Sequence, residues 1–284
     1  VSAPIRFLGL DLGGARSART SLAILESYPK ERKIFLLDVQ DRVIPQTVEP
    51  ADHHIDFDSV LLERITASIQ NPNDFRGILA INAPLDLPPC IFCTRKYCPM
   101  PAKCTVSEVV FMRQQNPPAL IPYLHRPAEV WAKKHLSPEL PKDFRVDIEE
   151  ALGSNRAPLA SRFHFLRRHI PEVIFAEVWP KISIARLAIS GVIPRKWATQ
   201  FRTLEEGSEA RAQILETIIK RFDLFIYERD QKNLADHLSA FDAFICAFTA
   251  YLSEIGLTEK KPKNYPKKAS WILIPKHITS RESK

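Results

Sequence analysis

Residues 7–25, FLGLDLGGARSARTSLAIL, carry an apolar run into Asp11, then a glycine turn, then a second apolar run. A carboxylate inside an otherwise apolar strand costs several kcal/mol if buried unpaired. Asp11 must therefore meet a metal, a phosphate-binding turn, or solvent at a sheet edge. Gly13 and Gly14 permit the positive φ of a tight reversal. Residues 20–25 (TSLAIL) then read as the returning strand and 33–39 (KIFLLDV) as a third.

A strand with a terminal Asp feeding an antiparallel hairpin opens the ribonuclease H-like folds, and also the actin and sugar-kinase folds. A glycine-rich hairpin whose Asp merely caps its turn is the competing reading, so the rest of the chain decides. After a polar connection with two prolines, Asp58 is expected to cap an amphipathic helix with Leu61, Leu62, Ile65 and Ile69 on one face, ended by Asn71-Pro72. Residues 77–82 (GILAIN) form a short apolar run, and a strand after this helix would lie parallel to the first. Three strands, a helix and a parallel fourth strand make the first half of a ribonuclease H-like α/β sheet flanked by helices.

Residues 83–170 break the pattern. They hold a dense share of the 23 prolines and four of the five cysteines, with helical signals only at 127–134 and 161–168. This reads as an insertion packed over one end of the sheet within a single domain spanning 1–284, since long structureless loops are otherwise uncommon. Regular structure returns at 173–179 (VIFAEVW), an apolar strand interrupted by Glu177 and stopped by Pro180. Helices are expected over 182–190, 208–222 and 234–252, the last with its apolar face interrupted by Asp242, before a closing strand at 271–274 (WILI).

The 284 residues, 45% hydrophobic and 26% charged, have the composition of an ordinary soluble globular protein. No apolar run approaches the length of about 20 residues that a membrane span requires, so no membrane partner is expected. No basic stretch followed by an apolar one precedes the first strand, which makes a cytoplasmic location the expectation. The net charge of +7 is uneven: from 259 to 284 there are eight Lys or Arg against two Glu. That segment reads either as a phosphate-contacting arm or as a solvated linker.

Asp11, Glu177 and Asp242 interrupt three apolar elements, and buried charges need partners or metals. On its helix, Asp242 has Ser239 at i−3 and Cys246 at i+4. Together the three acids point to one shared polar site around Mg2+ or Mn2+. The segments GLDLGG, INAPLDLP, AEVWPKISIARLA and LSAFDAFICAFTAYL, with WILIP closing, occur in an order that resembles the family known as domain of unknown function 429. That family is described as predicted nucleases of the ribonuclease H-like fold. The resemblance covers both ends and the middle of the chain and fails over 83–170. It implies catalytic or metal-ligating roles for Asp11, Glu177 and Asp242. Two positions depart from the family pattern: Asn82 stands where an Asp usually precedes Ala-Pro-Leu, and Ser239 where an acid is common. Asp86 substitutes for Asn82 only if the turn bends back toward the sheet.

Cys90, Cys93, Cys98 and Cys104 fall within fifteen residues, CIFCTRKYCPMPAKC. In a reducing compartment this density argues for a metal rather than disulfides. Zn2+ suits four thiolates, an iron–sulfur cluster tolerates irregular spacing, and unligated thiols are the remaining reading. Cys246 reads as core. The eight histidines offer no metal pattern; His53, His54 and His125 are expected in solvent. Trp131, Trp179 and Trp197 read as core.

Two classes of function follow. One is a metal-dependent nuclease in which Asp11 bridges two divalent ions, Asp242 and Glu177 complete the shell, Asn82 weakens it, and Arg16, Arg19 and the basic tail hold nucleic-acid phosphates. The other is a non-catalytic nucleic-acid- or protein-binding module, for which Asn82 and Ser239 are the evidence. An actin- or sugar-kinase-like ATPase is disfavoured, because after Gly77 only four isolated glycines remain to present backbone amides to phosphates.

Overall fold

The computed structural model describes residues 4–14, 19–44, 56–69, 76–153, 155–170 and 173–277. Three strands come first, β1 (Ile5–Asp11), β2 (Ser21–Tyr28) and β3 (Lys33–Gln40), followed by helix α1 (Phe57–Ile69) and strand β4 (Arg76–Ile81). The middle of the chain supplies α2 (Met100–Lys103), α3 (Ser107–Gln114), α4 (Pro127–His135) and α5 (Arg156–Leu166), with three short 3-10 turns. Then come β5 (Ile174–Val178), α6 (Pro180–Ile189), α7 (Arg195–Gln200), α8 (Gly207–Phe222), β6 (Leu224–Phe225), α9 (Glu228–Asp236), α10 (Leu238–Glu254) and β7 (Ile272–Leu273).

The strands form one mixed sheet of order β6-β3-β2-β1-β4-β5-β7. β1, β2 and β3 pair antiparallel, whereas β4, β5 and β7 continue parallel from β1, and β6 runs parallel to β3. Both faces are covered, as a partly parallel sheet requires. Phe7, Ala23, Leu25, Ile34, Leu36, Ile78 and Ala80 pack under α6, α8 and α10. The alternate residues Leu8, Leu10, Leu22, Ile24, Leu79 and Ile81 pack against α1 and α5 through Leu61, Ile65, Phe163 and Leu166. This is the period-two alternation of a strand buried on both sides.

The close approach of α10 to the sheet depends on Gly9. A Cβ there would stand 1.9 Å from the Ala243 carbonyl oxygen and 2.6 Å from the Ala247 amide. β1 and α10 can touch backbone to backbone only because all three residues are small.

Several expectations change in detail. Asp56, not Asp58, caps α1, accepting the amides of Asp58 at 3.0 Å and Ser59 at 3.3 Å. Gly13 and Gly14 keep ordinary φ, since the only positive-φ glycines among the described residues are Gly191 and Gly256. Gly13 is needed for room instead, because a Cβ would meet the Arg19 carbonyl oxygen at 2.8 Å. The expected helix over 234–252 is two helices broken at His237, which is extended (φ −113°, ψ 106°). His125 is buried rather than solvated, 3.7 Å from Glu150. His53, His54 and Arg16 lie outside the described residues. No helix among the described residues is long and apolar enough to cross a membrane.

Candidate functional site

The parallel strands β1, β4 and β5 end on one edge of the sheet, the edge where open α/β sheets bind ligands. Leu10 pairs with Ile81 and Ile81 with Glu177, and the Asn82 amide donates to the Leu10 carbonyl at 2.9 Å. Asp11, Asn82 and Glu177 thus project from neighbouring strand ends. Asp242 comes from the first turns of α10, one residue before the Ala243 that rests on Gly9. The glycine in GLDLGG and the alanines in FDAFICA therefore place Asp242 beside Asp11.

Asn82 Nδ2 donates to Asp11 Oδ1 at 2.9 Å, and Ser239 also hydrogen-bonds Asp11. The two positions that depart from the acidic pattern both contact this carboxylate as neutral donors. Burial and then the charge of Asp242 lift the Asp11 carboxyl from its ordinary 3.8 to about 7, against the hydrogen bond from Asn82, the charge of Arg202 and the bond from Ser239. Burial likewise raises Asp242, opposed by the guanidinium of Arg202, which donates to Asp242 Oδ2. Asp242 Oδ1 is buried with no partner. Such an orphan acceptor is uncommon and asks for a cation or a proton donor.

Glu177 is engaged elsewhere. Arg126, fully buried, grips it with two bonds of 2.8 Å, while Trp179 Nε1 (2.8 Å) and the Leu85 amide (3.0 Å) also donate to it. The same guanidinium reaches Asp86 at 2.8 Å and Glu129 at 2.8 Å. Burial opposes charge on Glu177, but Arg126 outweighs it and keeps the carboxyl below its usual range. Asp86 is likewise committed, to Arg126 and to the Ser270 amide at 2.8 Å. The structure therefore joins Asp11, Asn82 and Asp242, and holds Glu177 and Asp86 in a second network built on one arginine.

A second buried arginine, Arg162 of α5, fixes the turn after Asp11. It donates to the Gly13 carbonyl at 2.6 Å and Thr20 Oγ1 at 2.9 Å, and pairs with Asp58. Arg126, Arg162 and Arg202 are the site residues that sequence reasoning missed. A lone arginine, whether in an irregular stretch or, like Arg162, on a helix, carries no signal that it will be buried.

A cavity of about 190 Å3 adjoins the carboxylate pair, lined in part by Asn82, Arg156, Lys181 and Arg202. Among the described residues, no three His, Cys, Asp or Glu side chains are gathered to hold a metal ion. The donor set that fits a divalent cation is smaller: Asp11, the free Oδ1 of Asp242, and the Asn82 amide oxygen.

Cys90, Cys93, Cys98 and Cys104 are all free thiols. Cys90 lies within a 3-10 turn (Pro89–Phe92) whose C-terminal cap is Cys93, and Cys104 caps the C-terminus of α2. Burial raises the Cys90 thiol, and Cys93, Cys104 and Cys98 raise it further, so those three stand within electrostatic reach of Cys90. The four are not drawn into a tetrahedral set. Cys246 is core, packed in α10 under the sheet.

Scans of the chain against protein-family models, curated proteins and solved structures return no match.

Proposed function

We propose that this chain is a metal-dependent phosphodiester hydrolase of ribonuclease H-like architecture, acting on nucleic acid. The observation that carries the reading is the buried, unpartnered Oδ1 of Asp242 beside an Asp11 carboxyl lifted to about 7. Strand order β3-β2-β1-β4-β5, antiparallel then parallel, with an acid at the end of the central strand, supports the ribonuclease H-like assignment. So does the resemblance carried by GLDLGG, INAPLDLP, AEVWPKISIARLA and LSAFDAFICAFTAYL.

Asp11 and Asp242 would hold Mg2+ or Mn2+, with Asn82 contributing a neutral oxygen. A divalent ion at such a site activates water and stabilises the leaving oxygen. The residues of the chain do the rest. Asn82 and Ser239 orient Asp11, Gly9 seats α10 so that Asp242 faces it, Arg162 holds the following turn, and Arg202 balances charge at Asp242. With two carboxylates rather than three or four, the site offsets less cation charge and binds weakly.

The test is cleavage of a mixed panel of single- and double-stranded DNA and RNA in Mg2+ or Mn2+. Asp11→Asn should abolish turnover. Robust cleavage that survives Asp11→Asn would place catalysis elsewhere. A second reading, a non-catalytic binding module on the same fold, is favoured by one observation: Arg202 already supplies Asp242 with a positive charge. It predicts retained nucleic-acid binding with no metal-dependent cleavage at all.

The Cys90–Cys104 loop carries a separate metal proposal, a structural Zn2+ with an iron–sulfur cluster as the alternative. The reach of Cys93, Cys98 and Cys104 to Cys90 supports it, as does Arg113, whose Nη1 gathers the carbonyls of Pro101 (2.8 Å), Ala102 (2.8 Å) and Cys104 (3.1 Å).

A further inference from the structure

We propose that the cavity beside the carboxylate pair is a phosphate subsite, in which Arg156, Lys181 and the uncapped first turn of α6 hold a phosphate group of a nucleic-acid strand. The inference deepens the hydrolase reading and rests on it for the identity of the strand.

Three observations converge on the cavity. Its lining includes three cations, Arg156, Lys181 and Arg202. Arg202 is committed to Asp242, and Arg156 lies 3.5 Å from a Glu149 that is itself largely exposed. Lys181 makes no ion pair or hydrogen bond among the described residues and is close enough to act on Asp242 electrostatically. The second observation concerns the two guanidinium groups: Arg156 and Arg202 line the cavity with side chains 14% and 29% exposed, so part of each stays open to an anion there.

The third is α6 itself. It begins at Pro180, which has no N–H, and no side chain caps it. The amides of Lys181 and Ile182, residues that line the cavity, are first-turn donors without a helical acceptor. An anion there meets free amides and the positive end of the helix dipole. Asp147 and Glu149, exposed in the same lining, repel an anion and so favour one held against the first turn of α6. Volume narrows the class: about 190 Å3 falls below the roughly 300–1,000 Å3 of pockets that enclose whole ligands. It suits one phosphate rather than a nucleotide.

The phosphate is either a terminal monoester or an internal diester, and one binding experiment separates them. Fluorescence anisotropy of a 3′-labelled single-stranded oligonucleotide, with and without a 5′-phosphate, is measured in chelator so that no metal-dependent cleavage runs. Wild type should bind, with inorganic phosphate competing. Lys181→Ala and Arg156→Ala should each weaken binding about three- to tenfold and reduce the salt slope by about one, and Lys181→Arg should restore it. A requirement for the 5′-phosphate identifies a monoester; indifference to it identifies a diester. Unchanged affinity and slope in both alanine variants, or no competition by phosphate, overturns the subsite. Asp11-dependent cleavage with unaltered KM in Lys181→Ala would do so while leaving the hydrolase reading standing. Lys181-dependent binding without any cleavage would sink the hydrolase and keep the subsite.

Discussion

At the scale of single residues, Asp11 controls both charge and stability. Its folded pKa of about 7 lies above the unfolded value near 3.8, so between these pH values the native state holds a proton that the unfolded chain has lost. Stability then falls as pH rises through that window and levels off above about 7. In metal-free protein, Asp11→Asn should remove this slope and raise stability at pH 8 by up to about 4 kcal/mol, the equivalent of the displaced ionisation. The Asn82 bond survives the exchange, because an amide oxygen also accepts. Urea unfolding at pH 5 and pH 8 with EDTA checks this, and a wild type as stable at pH 8 as at pH 5 would refute it. Asn82 itself tests the opposite charge change. Asn82→Asp adds a third carboxylate, so Mg2+ or Mn2+ affinity should rise and, if the site is a hydrolase, cleavage with it. Calorimetry showing metal affinity no better than wild type would mean that the strand end does not face the ion.

At the scale of elements, the contact between β1 and α10 is the hinge of the site. Gly9→Ala places a Cβ within 2 Å of the Ala243 carbonyl, and backbone cannot yield as a flexible side chain would. We expect a loss of about 1–3 kcal/mol from overpacking, together with a loss of metal affinity as α10 backs away from β1. Thermal melts and metal titration of this variant check both, and an unperturbed melt would show that α10 has room to move. Much of this level was legible in sequence: the apolar runs of β1 to β5 and the interruptions at Asp11 and Asp242 show a sheet edge and a helix bearing on it. The break at His237 was not legible, because Leu234, Leu238 and Phe241 keep helical spacing straight through it. β6 pairs over only two residues, too short for periodicity to register, whereas the closing strand expected at 271–274 is present as β7, shortened to Ile272–Leu273. Nor could spacing say how the Cys90–Cys104 loop folds. If it takes a metal, purified protein prepared without chelator should carry near-stoichiometric zinc or iron by elemental analysis, and neither would be found if the thiols are simply free.

At the scale of the whole molecule, Arg126 fastens three distant parts of the chain together. It leads α4 in the middle segment, grips Glu177 on β5 and Asp86 after β4, and through Asp86 reaches the Ser270 amide just before β7. This is what sequence could not show: Glu177 read as a ligand because its countercharge comes from 51 positions away, on a segment with no regular pattern. Burying an ion pair brings little net stability, but removing one partner strands the other charge and costs about 3–5 kcal/mol. Arg126→Leu should therefore destabilise the protein by about that amount and loosen the middle segment and the C-terminal strand together, whereas loss of a local contact would loosen only one. The pH dependence distinguishes the mechanism. In the wild type Arg126 holds Glu177 below its ordinary pKa, so this contribution is present above about pH 4.5 and lost on acidification. Without Arg126 burial outweighs the remaining Leu85 amide bond and the charge of Arg156, the Glu177 pKa rises, and the defect should shrink as pH falls toward 5. Adding Glu177→Gln to Arg126→Leu should recover part of the stability at neutral pH, because the neutral amide removes the stranded charge and keeps an oxygen for one of the two donors, Trp179 Nε1 or the Leu85 amide, which bond separate carboxylate oxygens in the wild type. Urea unfolding of the two variants at pH 5 and pH 8, with hydrogen exchange to locate the loosened segments, decides the matter. A defect that is independent of pH and unrelieved by Glu177→Gln would mean that Arg126 matters for packing rather than for charge.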